Sequence, residues 1–127
     1  MFKVMFVDDE EPILKITKLL LNSLGFEVIC AKSGEMAIDI LSDKDEQQQI
    51  GIIFLDLTMP KISGLDVLKW INQNKIKIPT VMQTGIEDER EIKKAMALGA
   101  KEYMIKPYKK EQLYNSIMKY ANFGKDI

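Results

Sequence analysis

Five residues with reactive or charge-bearing side chains stand in this sequence directly behind apolar runs. Asp8 and Asp9 follow "FKVMFV", Asp56 follows "IGIIFL", Thr84 follows "PTVMQ" and Lys106 follows "EYMI". Three carboxylates brought together repel one another unless a cation sits among them. Mg²⁺ suits that place, because it is a hard ion that takes one or two carboxylates, keeps several waters and accepts phosphate oxygens. The remaining parts then fit phosphoryl transfer, with Asp56 as a carboxylate nucleophile and Lys106, Thr84 and the metal neutralising the oxygens of the transferred group. Taken singly, each residue also has an ordinary reading. Asp8 or Asp9 can cap a helix ahead of Pro12, Asp56 can be a turn residue, Thr84-Gly85 a plain strand exit, and Lys106 a lysine laid along the surface before Pro107.

The choice between these readings depends on the elements that place the five. Phe2–Val7 is short, apolar and rich in β-formers, so it reads as a strand; Pro12 then sits where a helix can start, since its missing N–H has no partner there anyway. Ile13, Ile16, Leu20 and Leu24 recur at helical spacing up to Gly25, and Phe26–Ala31 is a second strand. Ser33 can cap a helix that turns Met36, Ala37, Ile40 and Leu41 inward, after which "SDKDEQQQ" reads as a polar loop. Ile50–Asp56 is apolar almost throughout, as a strand covered on both faces must be. Beyond the turn "TMPKISG" come a helix from about Leu65 to Gln73 and a strand in "IPTVMQTG". A fourth helix runs from near Glu87 to a C-cap at Gly99, a fifth strand lies in "KEYMIKP", and a last helix from Lys110 carries Leu113, Ile117 and Ala121 on one face. Strands alternating with helices in this way predict a doubly wound α/β fold with a parallel sheet. Ligands of such sheets bind beyond the carboxyl ends of the strands, and all five residues fall on that edge.

The bulk composition narrows the function. At 127 residues the chain is long enough for one domain with a full core. Eighteen basic and nineteen acidic residues give a net charge of −1 and no basic stripe, which argues against direct nucleic-acid binding. The single Cys30 excludes an internal disulfide and reads as a small core hydrophobe. With no signal peptide and no apolar run of membrane-spanning length, a soluble, cytoplasmic domain without a membrane partner is expected. There is no histidine, so chemistry that needs an imidazole must draw it from another molecule.

The spacing of "VDDE", "IIFLDLTMPKISG", "VMQTG" and "YMIKP" resembles the receiver domain of two-component response regulators, along essentially the whole chain. The resemblance implies a flavodoxin-like, five-stranded parallel sheet of order 2-1-3-4-5 with five helices, residues 1–127 forming one response regulatory domain with no output domain visible. It implies that Asp56 takes a phosphoryl group from a phosphohistidine on a sensor histidine kinase or a histidine phosphotransfer protein. It also implies that Asp9, Asp56 and the backbone carbonyl of Thr58 hold Mg²⁺ directly and Asp8 through water. Thr84 and Lys106 would grip the phosphoryl oxygens, Lys106-Pro107 would be a cis peptide, and Tyr103 would be the aromatic partner of the Thr84 switch. The signal would leave by the face of the fourth helix, fifth strand and fifth helix, towards a partner or a missing C-terminal output domain. Such a domain is not an enzyme on external substrates; it catalyses only its own phosphorylation and dephosphorylation.

Two positions depart from the family pattern. Gln83 puts an amide where an apolar residue is usual, which predicts either an extra hydrogen bond or a solvent opening inside the fourth strand. The Thr58 side chain borders the path of an attacking water. Three rival readings differ in class. An aspartyl-phosphate phosphatase or phosphotransferase of the haloacid dehalogenase type needs a second acid where Thr58 stands. A flavodoxin-like electron carrier needs a hydroxyl-rich loop where "DDEEP" would repel the flavin phosphate. A degenerate receiver acting only as a binding module would not need the five positions intact. If the acids crowd one edge, the ionised cluster is expected to disfavour the metal-free fold, so that removing Asp8 or Asp56 would stabilise it.

Overall fold

The most apolar run of the sequence becomes the middle of the sheet. In this computed structural model, which describes residues 2–85 and 88–122, β3 (Ile50–Asp56) is buried at every position. β1 (Lys3–Val7) and β4 (Thr80–Thr84) flank it, and β2 (Glu27–Ala31) and β5 (Glu102–Ile105) form the edges. All neighbours are parallel, in the order β2-β1-β3-β4-β5. The chain steps outward from β1 to β2 and then returns to the other side of β1, so the strand order reverses between β1 and β3, where a crevice opens at the carboxyl ends.

Among the described residues six helices cover the two faces: α1 (Glu11–Ser23), α2 (Gly34–Ser42), α3 (Lys44–Gln49), α4 (Gly64–Gln73), α5 (Glu89–Ala97) and α6 (Lys110–Tyr120). Strand side chains alternate between the faces, which divides the core in two. Val4, Phe6, Ile52, Phe54, Val81 and Met104 pack under Leu14 and Leu21 of α1 and Leu113 and Ile117 of α6. Met5, Val7, Ile53, Leu55 and Met82 pack under α2, α4 and α5 through Ala37, Leu41, Leu68, Ile71 and Ala95. Each large aliphatic or aromatic side chain buried here contributes roughly 1.5–3 kcal/mol, so the site-bearing strand ends are held by the two most apolar layers of the molecule.

Three features differ from the sequence expectation. The five expected helices are six, because "SDKDEQQQ" holds α3 rather than a loop. Asp43 Oδ1 accepts from the N–H groups of Asp45 (2.9 Å) and Glu46 (3.3 Å), and Gln47 Nε2 donates to the Leu41 carbonyl (2.9 Å). This helix buries no residue, so no apolar period announced it. The inward stripe of α1 is Leu14, Thr17 and Leu21, while Ile16 is 65% and Leu19 71% exposed. Thr17 is polar and hides the true phase from a hydropathy reading. On α2, Met36 likewise points outward and Ala37 and Leu41 carry the contact. The expected helix start near Glu87 lies outside the described residues; α5 begins at Glu89 behind Asp88, whose Oδ1 accepts from Arg90 N and Glu91 N. No helix among the described residues is long and apolar enough to cross a membrane.

Candidate functional site

The acids reach the crevice because β1 and β3 end beside each other. Asp8 N extends the ladder past β1 by donating to the Ala31 carbonyl (3.1 Å). Its carboxylate is fully buried: Oδ1 accepts from Glu10 N (2.9 Å), which leaves Oδ2 facing Lys106. Asp56 is the last residue of β3, and its Oδ1 accepts from Thr58 N at 3.2 Å. The chain then returns at once to the same spot. Gly64 N donates to the Leu57 carbonyl (3.0 Å), and a Cβ at Gly64 would fall 2.1 Å from the Asp56 carbonyl oxygen and 2.8 Å from Leu57 Cα. Only glycine lets the start of α4 lie this close to the end of β3, and Ser63 fixes that start through a capping box with Asp66.

Lys106 arrives from the opposite side. Its N–H donates to the Thr84 carbonyl (2.7 Å), joining the ends of β4 and β5, and its bond to Pro107 is cis. The ammonium lies 2.8 Å from Asp8 Oδ2, 3.4 Å from Asp56 Oδ2 and 3.9 Å from Glu10 Oε1. Carboxylate oxygens of Asp8, Asp9 and Asp56 all lie within 4.8 Å of one another; Asp8 and Asp56 are buried and Asp9 is exposed.

The electrostatics follow from this geometry. Burial pushes the Asp56 carboxyl up to about 6; Lys106 opposes that rise, the charge of Asp8 adds to it, and the Thr58 N–H opposes it. Burial by itself would lower the Lys106 ammonium, yet it stands above its ordinary value because the hydrogen bond to Asp8 and the charges of Asp56 and Asp8 outweigh that cost. Among the described residues one ammonium faces three clustered carboxylates and leaves them under-neutralised. The all-oxygen donor set, with one exposed acid at its mouth, fits a hard divalent cation.

The family model for the response regulator receiver domain matches residues 4–118. The chain belongs to that family. This receiver domain is 36% identical over 106 residues to the alkaline phosphatase synthesis transcriptional regulatory protein PhoP of Bacillus subtilis, covering 84% of this chain but only 42% of that protein. It thus spans less than half the length of that relative. Among solved structures it resembles a response regulator receiver domain protein from Clostridium thermocellum, with TM-score 0.87, 32% identity and 94% of each chain covered. It also resembles the CheX-CheY-BeF3-Mg+2 complex from Borrelia burgdorferi, with TM-score 0.82, 29% identity, and 93% of this chain and 87% of that one covered. A receiver domain of two-component response regulators is a signalling domain with a phosphoacceptor role.

In this receiver domain Thr84 is buried at the end of β4, on the same face as Met82. Tyr103 pairs in register with Met82, lies on that face too, and is 39% exposed. Gln83 occupies the opposite face and is fully buried, so the expected alternative of a solvent opening gives way to hydrogen bonds. Its Nε2 donates to the Val7 carbonyl (3.1 Å), and its Oε1 accepts from the Tyr108 hydroxyl (2.5 Å). Burial pushes the Tyr108 phenol well above its ordinary value, with a Thr17 hydrogen bond opposing and the charges of Asp8 and Asp56 adding. Sequence reading missed Tyr108, Glu10 and Gly64 at this site. Gly64 had a visible signal in the turn "KISG". Tyr108 had none, since a tyrosine after proline is compatible with many loops.

Proposed function

We propose that Asp56 is the phosphoacceptor of this receiver domain. The observation that supports this most is the buried Asp56 carboxylate at the end of the central strand, 3.4 Å from the Lys106 ammonium and within 4.8 Å of Asp8 and Asp9. A carboxylate oxygen of Asp56 attacks the phosphorus of a phosphohistidine held by a sensor histidine kinase or a histidine phosphotransfer protein. The new P–O bond forms as the P–N bond breaks, and the electron pair stays on the donor imidazole nitrogen. Lys106 Nζ, already drawn between Asp8 and Asp56, holds one phosphoryl oxygen, and the Thr84 hydroxyl holds another. Asp9, Asp56 and the Thr58 carbonyl would hold Mg²⁺, with Asp8 acting through water, and the ion would neutralise charge between acceptor and phosphoryl group. A relative whose structure is described with BeF3 and Mg+2 supports this choice of ion. Later attack by water on phosphorus releases phosphate and restores Asp56, so the domain resets itself without turning over an external substrate.

The phosphoryl group draws the Thr84 hydroxyl inward, Tyr103 fills the vacated space, and the α5–β5–α6 face changes for a partner or an appended output domain. The domain works in the cytoplasm. The test is intact-mass measurement after incubation with acetyl phosphate and Mg²⁺. Wild type gains one phosphoryl group and Asp56→Asn gains none; a gain that persists in the variant would rule Asp56 out.

A further inference from the structure

One buried side chain touches two of the segments that form the site and belongs to a third. Gln83 directly precedes Thr84, and its amide reaches across β3, the strand that ends in Asp56. On the far side Nε2 donates to the carbonyl of Val7, the residue before Asp8, at 3.1 Å. On the near side Oε1 accepts from Tyr108, two residues after Lys106, at 2.5 Å. Because the Val7 carbonyl can only accept, the amide has a single workable orientation, and in it both of its ends are paired. Tyr108 is tied in turn to Thr17 on α1, which is itself buried.

The loop that carries Lys106 needs such a tie. Lys106 N bonds the Thr84 carbonyl, Pro107 has no N–H, and the next backbone N–H tie among the described residues is Lys109 N to Gln112 Oε1, already within the cap of α6. Between those two points Tyr108 is the side chain that pins the loop to the sheet. A lysine has a long, freely rotating side chain, so its ammonium stays within reach of Asp8 and Asp56 only if its backbone is fixed. We propose that Gln83 and Tyr108 are positioning residues for phosphoryl transfer: they set the reach of Lys106 by tying its loop, through one buried amide, to the end of β1 that carries Asp8. The inference rests on the reading of Asp56 as phosphoacceptor and of Lys106 as its phosphoryl-binding partner. It adds two residues that never touch the phosphoryl group.

The test is the rate of phosphorylation by acetyl phosphate at saturating Mg²⁺, followed by intact mass, since a small donor removes any effect of partner docking. Gln83→Leu and Tyr108→Phe should each slow the reaction on the order of tenfold, as removal of outer hydrogen bonds around a reactive group does. In a Lys106→Ala background the same substitutions should change the rate less than about twofold, because the residue they position is gone. The double variant Gln83→Leu/Tyr108→Phe removes the buried Gln83 Oε1 together with the hydroxyl that donates to it, so it should melt higher than Tyr108→Phe alone and still react slowly. That separates positioning from stability even where Tyr108→Phe alone folds poorly. An undiminished tenfold loss in the Lys106→Ala background, or a double variant as fast as wild type, overturns the inference. A wild type that takes no phosphoryl group, or a Lys106→Ala variant as fast as wild type, overturns instead the reading of the site on which it rests.

Discussion

Asp8 and Asp56 are both buried carboxylates within reach of Lys106, and they should behave oppositely when removed. For Asp56 the folded pKa is raised from 3.8 to about 6, chiefly by burial. A raised folded value contributes stability that is fully present below pH 3.8 and is lost as pH rises through 6. Metal-free protein should therefore lose stability between about pH 4 and 7, and Asp56→Asn should remove most of that slope. At pH 7.5 without metal the variant should be about 1–2 kcal/mol more stable than wild type, the full pKa effect being reduced because Lys106 loses one of its two close carboxylates. Melting curves across this pH range, with and without Mg²⁺, check both statements; Mg²⁺ should raise the wild-type midpoint and leave the variant nearly unmoved. Asp8 takes the closer contact to Lys106, at 2.8 Å, and accepts Glu10 N. The expectation that its removal stabilises the fold does not follow from this geometry. Asp8→Ala breaks a buried pair and should destabilise by about 1–3 kcal/mol, read by urea denaturation.

At the scale of elements, the site depends on how close the start of α4 comes to the end of β3. The atoms nearest a Cβ at Gly64 are backbone, at Asp56 and Leu57, and cannot rotate away as a flexible side chain would. Gly64→Ala should therefore push α4 off the strand end. The cost should be about 1–3 kcal/mol in urea denaturation, with slower phosphorylation of Asp56 because the Thr58 N–H that holds its Oδ1 moves with the turn. Ser63→Ala removes only the cap and leaves the close approach intact. It should cost about 1 kcal/mol and change the phosphorylation rate far less.

Across the whole molecule, the sheet separates two routes from the site. Thr84 and Tyr103 share the face under α5, while Gln83, Tyr108 and Thr17 occupy the face under α1 and α6. A signal carried by Thr84 and Tyr103 should then appear along α5 and β5 and largely bypass α1. With beryllofluoride and Mg²⁺, backbone NMR should show shifts from Glu89 to Lys94 and from Lys101 to Lys110, reduced in Tyr103→Ala. A coupling of about 1–3 kcal/mol suffices for a several-fold change in partner affinity. Shifts confined to the loops of Asp9, Asp56 and Lys106 would remove this route.

The sequence by itself determined the five strands, the doubly wound order of elements and the identity of the acids at the strand ends. Each of these is written locally: in apolar runs such as Ile50–Asp56, in breakers such as Gly25 and Pro12, and in the residue that follows each run. Tertiary structure decided what depends on residues far apart in the chain. The phase of α1 was set by burial of Thr17 rather than by its isoleucines, and α3 by side-chain caps that bury nothing. The unequal standing of Asp8 and Asp56 came from a lysine 98 and 50 residues away. The amide at position 83 was visible as an oddity. Its two partners, 76 and 25 residues distant, became visible only once the sheet had brought β1, β4 and the loop after β5 together, because a buried polar group is defined by what satisfies it.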